Sequence, residues 1–245
     1  MSAETKLKYQ VALFGDFSHV TPDEETLKKC IENFFTLGFM PTPIQEFNGQ
    51  TSKVEARLGF QSIRNGIVVN ILSNRMDVFC NPFPGSNAAG LSLRDFSDES
   101  KKIIEKIISV FSLNVRRAGY VTETFLKPLD DASLEKVKGL MLNPAFNPTG
   151  NLTPKEWSVR LVSPVGMENI ASPVNLITNF ARSDVQMGDQ SGQKEFTTIH
   201  VTMDVNMPME KASFTMDAAL IAGFIDNSLD LQSTVLNNVR EIAYG

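Results

Sequence analysis

The stretch that most constrains the fold is Asn65–Cys80, N-G-I-V-V-N-I-L-S-N-R-M-D-V-F-C, because two turn signals separate its short apolar segments. Asn65-Gly66 favours a two-residue type I′ turn, since both residues tolerate a positive φ angle. Ser73-Asn74 provides a second tight turn. Together with the preceding segment Val54–Arg64, these turns predict an antiparallel meander of three strands.

The register implied by these turns divides the side chains of the meander between two faces. On one face the expected neighbours are Phe60, Ile71 and Met76 in one row, Ser62, Val69 and Val78 in the next, and Ile67 with Cys80. The other face receives Arg57, Gln61, Asn70 and Asp77, with Leu72, Val68 and Phe79 among them. A slip of one residue would invert every side chain, so this sorting predicts that the first face is buried.

The rest of the first half adds two strands and two helices. Lys6–Phe17 alternates as a strand, and Thr21 as N-cap with Pro22 and Glu24 opens a helix that ends at Gly38. Its apolar stripe is Leu27, Cys30, Ile31, Phe34 and Phe35. Met40–Phe47 is predicted to be a strand, and its prolines Pro41 and Pro43 are expected only on an edge strand or among the first residues of a strand. After the meander, Ser97 is the predicted cap of a second helix.

The second half repeats this order of elements. The predicted elements are the strand Val115–Leu126, the helix Asp131–Leu142, a loop Asn143–Pro154, strands Glu156–Val162, Val174–Arg182 and Glu195–Met207, and a long helix Asp217–Ala243. The sequence therefore predicts an α+β protein of two pseudo-repeated halves, residues 1–114 and 115–245. Each half is expected to form an antiparallel sheet with a covering helix.

Composition disfavours several classes of function. The chain of 245 residues has a net charge of −5 and no basic run longer than two residues, which disfavours binding to a nucleic-acid backbone. Cys30 and Cys80 fall on predicted core faces and are expected to be buried thiols. No secretory or membrane-spanning segment is evident, so a soluble cytoplasmic protein of a bacterium or its virus is predicted.

Catalytic signatures are not evident in the sequence. The two histidines are His19 and His200, and His200 lies on a polar strand face with Asp204, where a general base with its orienting carboxylate is conceivable. No nucleophile motif, metal-ligand spacing or phosphate-binding loop accompanies them. A hydrogen-bonded surface histidine is the favoured interpretation, and no catalytic, cofactor or metal site is predicted.

Candidate interaction residues come from charged strand positions and from the last helix. They are Arg57, Arg64, Arg116, Arg117 and His200, and the apolar residues Leu236, Val239, Ile242 and Tyr244. The last four recur between polar residues in the second half of the long helix, a mixture typical of an interface rim.

Three resemblances follow from these patterns. The element order, present twice, resembles the duplicated fold of the TATA-box-binding protein, while one copy with its long helix resembles a helix-grip domain. The runs I-V-V-N-I-L-S-N-R-M-D-V at Ile67–Val78 and S-V-F-S-L-N-V-R-R-A-G-Y-V-T at Ser109–Thr122 are similar to a sporadically distributed family of uncharacterised bacterial proteins of about 250 residues. That resemblance implies a protein partner, in a defence or mobile-element setting, and no catalytic residues.

The leading functional hypothesis is a non-enzymatic interaction protein, either a homo-oligomer or a subunit of a bacterial complex. It rests on the missing active-site signature and on the amphipathic final helix. One alternative is a helix-grip carrier that holds a small molecule between sheet and helix, and another is a duplicated saddle that binds nucleic acid. An unrecognised enzyme is the fourth hypothesis.

Overall fold

The computed structural model describes residues 4–49, 52–141, 154–189, 192–208 and 215–245. Its strands are β1 Thr5–Asp16, β2 Phe39–Asn48, β3 Lys53–Ser62, β4 Val68–Ile71, β5 Arg75–Cys80, β6 Asn114–Phe125, β7 Ser158–Met167, β8 Ile170–Asp189 and β9 Gly192–Asn206. Its helices are α1 Glu24–Phe34, α2 Leu93–Phe111, α3 Asp131–Met141 and α4 Ala218–Tyr244. The predicted α+β class is confirmed, and the predicted loop Asn143–Pro154 lies almost wholly outside the described residues.

All the described strands join one antiparallel sheet, whose order is β2-β3-β4-β5-β1-β6-β9-β8-β7. The two parts of the chain meet at β1 and β6, which pair from Thr5 opposite Phe125 to Asp16 opposite Asn114. The structure therefore contains a single continuous sheet in place of one separate sheet for each half.

The helices pack on one face of this sheet. Phe34 of α1 contacts Phe60 with ring centroids 4.7 Å apart, and Phe96 of α2 contacts Tyr9 at 5.5 Å. Gln232 of α4 accepts a hydrogen bond from Thr122 of β6. Thr122 lies opposite Tyr9 in the register of β1 and β6, so it is on the same face of the sheet as Tyr9. The opposite face, which includes Arg117, is covered by no described element; we call it the open face.

The meander forms as predicted between β4 and β5 but is shifted by two residues between β3 and β4. Ile71 lies opposite Met76, and Val69 opposite Val78, as expected. Phe60, however, lies opposite Val69. The reason is that four residues, 63–66, separate Ser62 from Ile67, whose carbonyl accepts the Ser62 N–H. The predicted type I′ turn is wrong, since Gly66 has a positive φ of 67° while Asn65 does not.

A local hydrogen-bond pattern explains the longer turn. The Ser62 hydroxyl accepts the N–H groups of Arg64 and Asn65, at 3.2 and 3.4 Å, and so competes with a tighter hairpin. Gly66 also lies against the next loop, where an added Cβ would come within 2.7 Å of the Ala88 nitrogen. Because the shift is even, every side chain keeps its predicted face, and Phe60, Val69 and the other members of the first face are buried.

Helices α1 and α2 begin at other caps than the sequence suggested. The N-cap of α1 is Asp23, which accepts the Thr26 N–H at 2.8 Å, and Thr21 instead donates to the Asp23 carboxylate. The N-cap of α2 is Ser92, since Ser97 lies inside the helix and bonds to the Leu93 carbonyl. The two predicted caps, Thr21 and Ser97, are therefore wrong.

Buried apolar side chains between the helices and the sheet fall into two clusters. The larger lies beneath α1, α2 and the first half of α4, and includes both cysteines, which are buried free thiols as expected. The smaller lies beneath α3 and the second half of α4. Strand β2 with its two prolines is an edge strand of the sheet, one of the two positions expected for them.

Candidate functional site

Helix α1 has apolar side chains on two sides. Cys30 and Phe34 point into the core and are fully buried, whereas Ile31 and Phe35, each one position later, face outward. Their exposed fractions are 54% and 56%, which is high for large apolar residues. More than half of the surface of each side chain in this pair is therefore left uncovered by the described residues.

Three more exposed apolar residues follow this pair in the chain or are linked to the same segment by a backbone hydrogen bond. Phe35 begins and Leu37 ends a short 3₁₀ turn, Phe35–Leu37, that continues from α1, and Gly38, with a φ of 80°, then bends the chain into β2. The Gly38 carbonyl accepts the Ile63 N–H at 2.9 Å, which brings the exposed Ile63 to the same corner. Met40 and Ile63 line one hollow. We call Ile31, Phe35, Leu37, Met40 and Ile63 the α1 surface.

Two charged residues border the α1 surface. Arg64 lies over Gly38, where an added Cβ would meet its Nε atom at 2.8 Å, and Glu32 follows Ile31 on the helix. Both are exposed, and neither forms an ion pair with another described residue. Strand β2 runs along the same edge of the sheet, but Pro41 and Pro43 lack N–H donors and hinder pairing with a further strand.

The arginines predicted as interaction residues have different environments. Arg57 is buried, ion-paired with Glu46 at 2.7 Å and with Glu55, and its Nη1 donates to the Ser18 carbonyl at 3.2 Å. The hydrogen bonds from Ser73 and Arg57 outweigh the effect of burial and lower the pKa of Glu46. Arg57 therefore holds the end of the sheet together and is not available to a partner.

The other arginines are more accessible. Arg117 lies on the open face, with its guanidinium carbon 3.9 Å from the centroid of the Phe14 ring, and burial lowers its pKa. Arg75 contacts the other side of this ring at 5.2 Å. Arg116, the preceding residue, is exposed at a register shift between β1 and β6. Arg57 and Arg64 lie on or beyond β3, so the structure does not bring the four arginines together.

His200 contacts different residues from those the sequence suggested. Its ring packs against Phe125 at 5.1 Å, and its Nε2 lies 3.7 Å from the Glu123 carboxylate. Burial lowers the pKa of His200, although Glu123 acts in the opposite direction. Asp204 bonds instead to Asn206 at 2.8 Å, and burial raises its pKa. The histidine and Asp204 thus form no pair, and His19 bonds to the Phe111 carbonyl.

The residues predicted on the last helix mostly pack inside this chain. Leu236 and Val239 are buried in the smaller core cluster, and Ile242 packs against it. Tyr244 is 40% exposed, and its hydroxyl accepts the Lys127 N–H at 2.7 Å. An interface through these four positions stays a prediction, but Tyr244 offers most of their exposed apolar surface.

Among the described residues, no three His, Cys, Asp or Glu side chains lie close enough to share a metal ion. No described helix is long and apolar enough to cross a membrane. No protein-family model matches the sequence, and no curated protein matches it significantly.

In the sequence the apolar residues of α1 form one stripe, and the α1 surface is not identified from it. Cys30, Ile31, Phe34 and Phe35 are two adjacent pairs, and such a stripe spans more of the helix circumference than one packing face needs. That width was a signal in the sequence. No pattern in the sequence indicates that Met40 and Ile63 belong to this surface, because their positions depend on how the hairpin folds back against Gly38.

Proposed function

We propose that this chain is a non-enzymatic interaction protein that binds a second copy of itself through the α1 surface. The observation that carries the proposal is the exposure of five large apolar side chains at one corner of the molecule. Contiguous exposed apolar residues with a polar border are typical of protein–protein contact sites.

The border charges favour a second copy as the partner. A two-fold interface brings the same surface of each subunit together, so residue i of one subunit meets residue j of the other and the reverse. Arg64 and Glu32 carry opposite charges beside the α1 surface, and neither forms an ion pair with another described residue. A two-fold contact can therefore form two Arg64–Glu32 ion pairs around an apolar centre.

The decisive experiment measures molecular mass by light scattering over a range of concentrations. The wild-type chain is expected to form a dimer, and Phe35→Ser together with Ile63→Ser is expected to give a monomer. Phe47→Ser with Leu161→Ser is the matched control, because these exposed apolar residues lie away from the α1 surface. The control variant should dimerise like the wild type.

A charge exchange tests the identity of the partner. Arg64→Glu and Glu32→Arg should each weaken the dimer, because each places like charges across the two-fold axis. The double variant should recover much of the loss. A wild-type chain that is monomeric at every concentration, or single variants that dimerise unchanged, would contradict self-association through this surface.

A further inference from the structure

A cavity of about 460 Å³ lies between the sheet and the helices, and none of the residues of the α1 surface lines it. Its floor is formed by β1, β6 and β9, one wall by the second half of α4, and the other by Leu91 and the start of α2. Its volume is within the range of about 300–1,000 Å³ that small-molecule sites occupy.

Two hydroxyl groups in this cavity have no hydrogen-bond partner among the described residues. Tyr9 and Thr124 both line it, each is only 2% exposed, and neither hydroxyl forms a hydrogen bond with another described residue. Burial raises the pKa of Tyr9, so its hydroxyl stays protonated and able to donate. Each hydroxyl can therefore donate a hydrogen bond to an oxygen of a molecule bound in the cavity.

The side-chain amide of Gln232, by contrast, has hydrogen-bond partners within the chain. Gln232 accepts the Thr122 hydroxyl at 3.0 Å and donates to the Tyr120 carbonyl at 2.9 Å. It therefore holds α4 against the sheet and shapes the cavity floor without needing a ligand.

A charged cluster lies at one end of the cavity. Glu4 accepts hydrogen bonds from Arg240 Nε and Nη2, both at 2.6 Å, and from Lys6 Nζ at 2.8 Å. Burial alone would raise the pKa of Glu4, but these bonds hold it at about 2. One carboxylate faces two cations, so the cluster has an excess of one positive charge, and the Lys6 ammonium has donors to spare.

Apolar side chains complete the lining. The cavity is also lined by Leu91, Leu93, Leu236, Met203, Pro82 and Pro84. A ligand that matches this lining has an apolar body and an anionic group.

We infer that this cavity binds an amphipathic organic acid, with its carboxylate at Lys6 and Arg240 and its apolar body against the leucines. An oxygen of the same carboxylate accepts a hydrogen bond from Tyr9 or Thr124, since Thr124 lies directly opposite Lys6 in the register of β1 and β6. The site does not use the α1 surface, so it stands or falls separately from the proposed self-association.

Calorimetric titration of the full chain with three probes tests this inference. Decanoate should bind at one site per chain, while 1-decanol and decyltrimethylammonium, which match its chain but not its charge, should bind at least about tenfold more weakly. Lys6→Met should remove most of this preference for decanoate. Lys8→Met is the control, because Lys8 lies on the same strand but faces the open side.

Two further variants probe the cavity itself. Ser233→Trp should block binding by filling the space beside α4, where Ser233 lines the cavity and is only partly buried. Tyr9→Phe should weaken decanoate binding about two- to tenfold through loss of one hydrogen bond. The inference is wrong if decanoate shows no saturable binding, if decanol binds equally well, or if folded Lys6→Met and Ser233→Trp variants bind decanoate unchanged.

Discussion

Replacing Arg57 tests whether this arginine is structural, as its contacts indicate, or available for interaction. Arg57→Met keeps most of the side-chain length but removes the charge from beside Glu46, whose side chain is only 17% exposed. Breaking a buried ion pair by removing one partner costs about 3–5 kcal/mol. We expect about 3 kcal/mol, at the lower end, because Glu46 keeps its two hydrogen bonds from Ser73 and Glu55 is partly hydrated.

Urea titration followed by circular dichroism measures this loss. With an m-value of about 3 kcal/mol/M, the midpoint should fall by about 1 M. Arg116→Met is the matched control, since Arg116 is exposed and should change the free energy of unfolding by less than about 0.5 kcal/mol. Equal midpoints for the two variants would refute a structural role for Arg57.

The pH dependence of the difference in free energy of unfolding shows whether Arg57 stabilises the fold through its charge or through its packing. The folded-state pKa of Glu46 lies below the unfolded value of about 4.3, so Glu46 stabilises the wild type above that pH and less as pH falls through it. Without Arg57 this contribution is smaller at neutral pH. The difference in free energy of unfolding between wild type and Arg57→Met should therefore decrease below about pH 4. A difference that stays constant down to pH 3 would indicate that the loss comes from packing instead.

Two more predictions concern the sheet. In the same titration Ile71→Ala should lower the free energy of unfolding by about 2–5 kcal/mol, because Ile71 is fully buried. Asn70→Ser should lower it by less than about 1 kcal/mol, because Asn70 lies on the open face. Equal losses would contradict the strand register. His200→Gln should reduce the loss of melting temperature between pH 7 and 5.5, since a histidine with a lowered folded-state pKa destabilises the fold as pH falls below about 6.5. His19→Gln is its control, and identical pH profiles for wild type and His200→Gln would contradict this.

Local patterns in the sequence were sufficient to predict most elements of the fold. Alternation and turn residues placed the meander and its buried face, and two prolines were consistent with the edge position of β2. The register between β3 and β4 was not predictable from the Asn65-Gly66 dipeptide alone. It depends on the Ser62 hydroxyl and on the loop that packs against Gly66.

Both candidate sites depend on contacts that sequence spacing does not reveal. Glu4 meets Arg240 across 236 positions of the chain, and Ile63 joins Phe35 only through the fold of the hairpin. Sequence spacing likewise does not reveal the contacts that bury Arg57. Its alternation on β3 suggested an accessible cation, but Glu46 on the neighbouring strand and the Ser18 carbonyl enclose it.

The single sheet also affects how the two parts of the chain depend on each other. The predicted boundary after Asn114 falls where β6 begins, and β6 pairs with β1 along its whole length. Separating the parts would expose the backbone donors and acceptors of both central strands, which would then become unprotected edges. Helix α4 adds a second connection, because Lys101 of α2 contacts Asp226 at 2.7 Å and Arg240 holds Glu4 at the start of β1. The same Arg240–Glu4 contact forms one end of the cavity, so the inferred ligand site exists only where the two parts of the chain are joined.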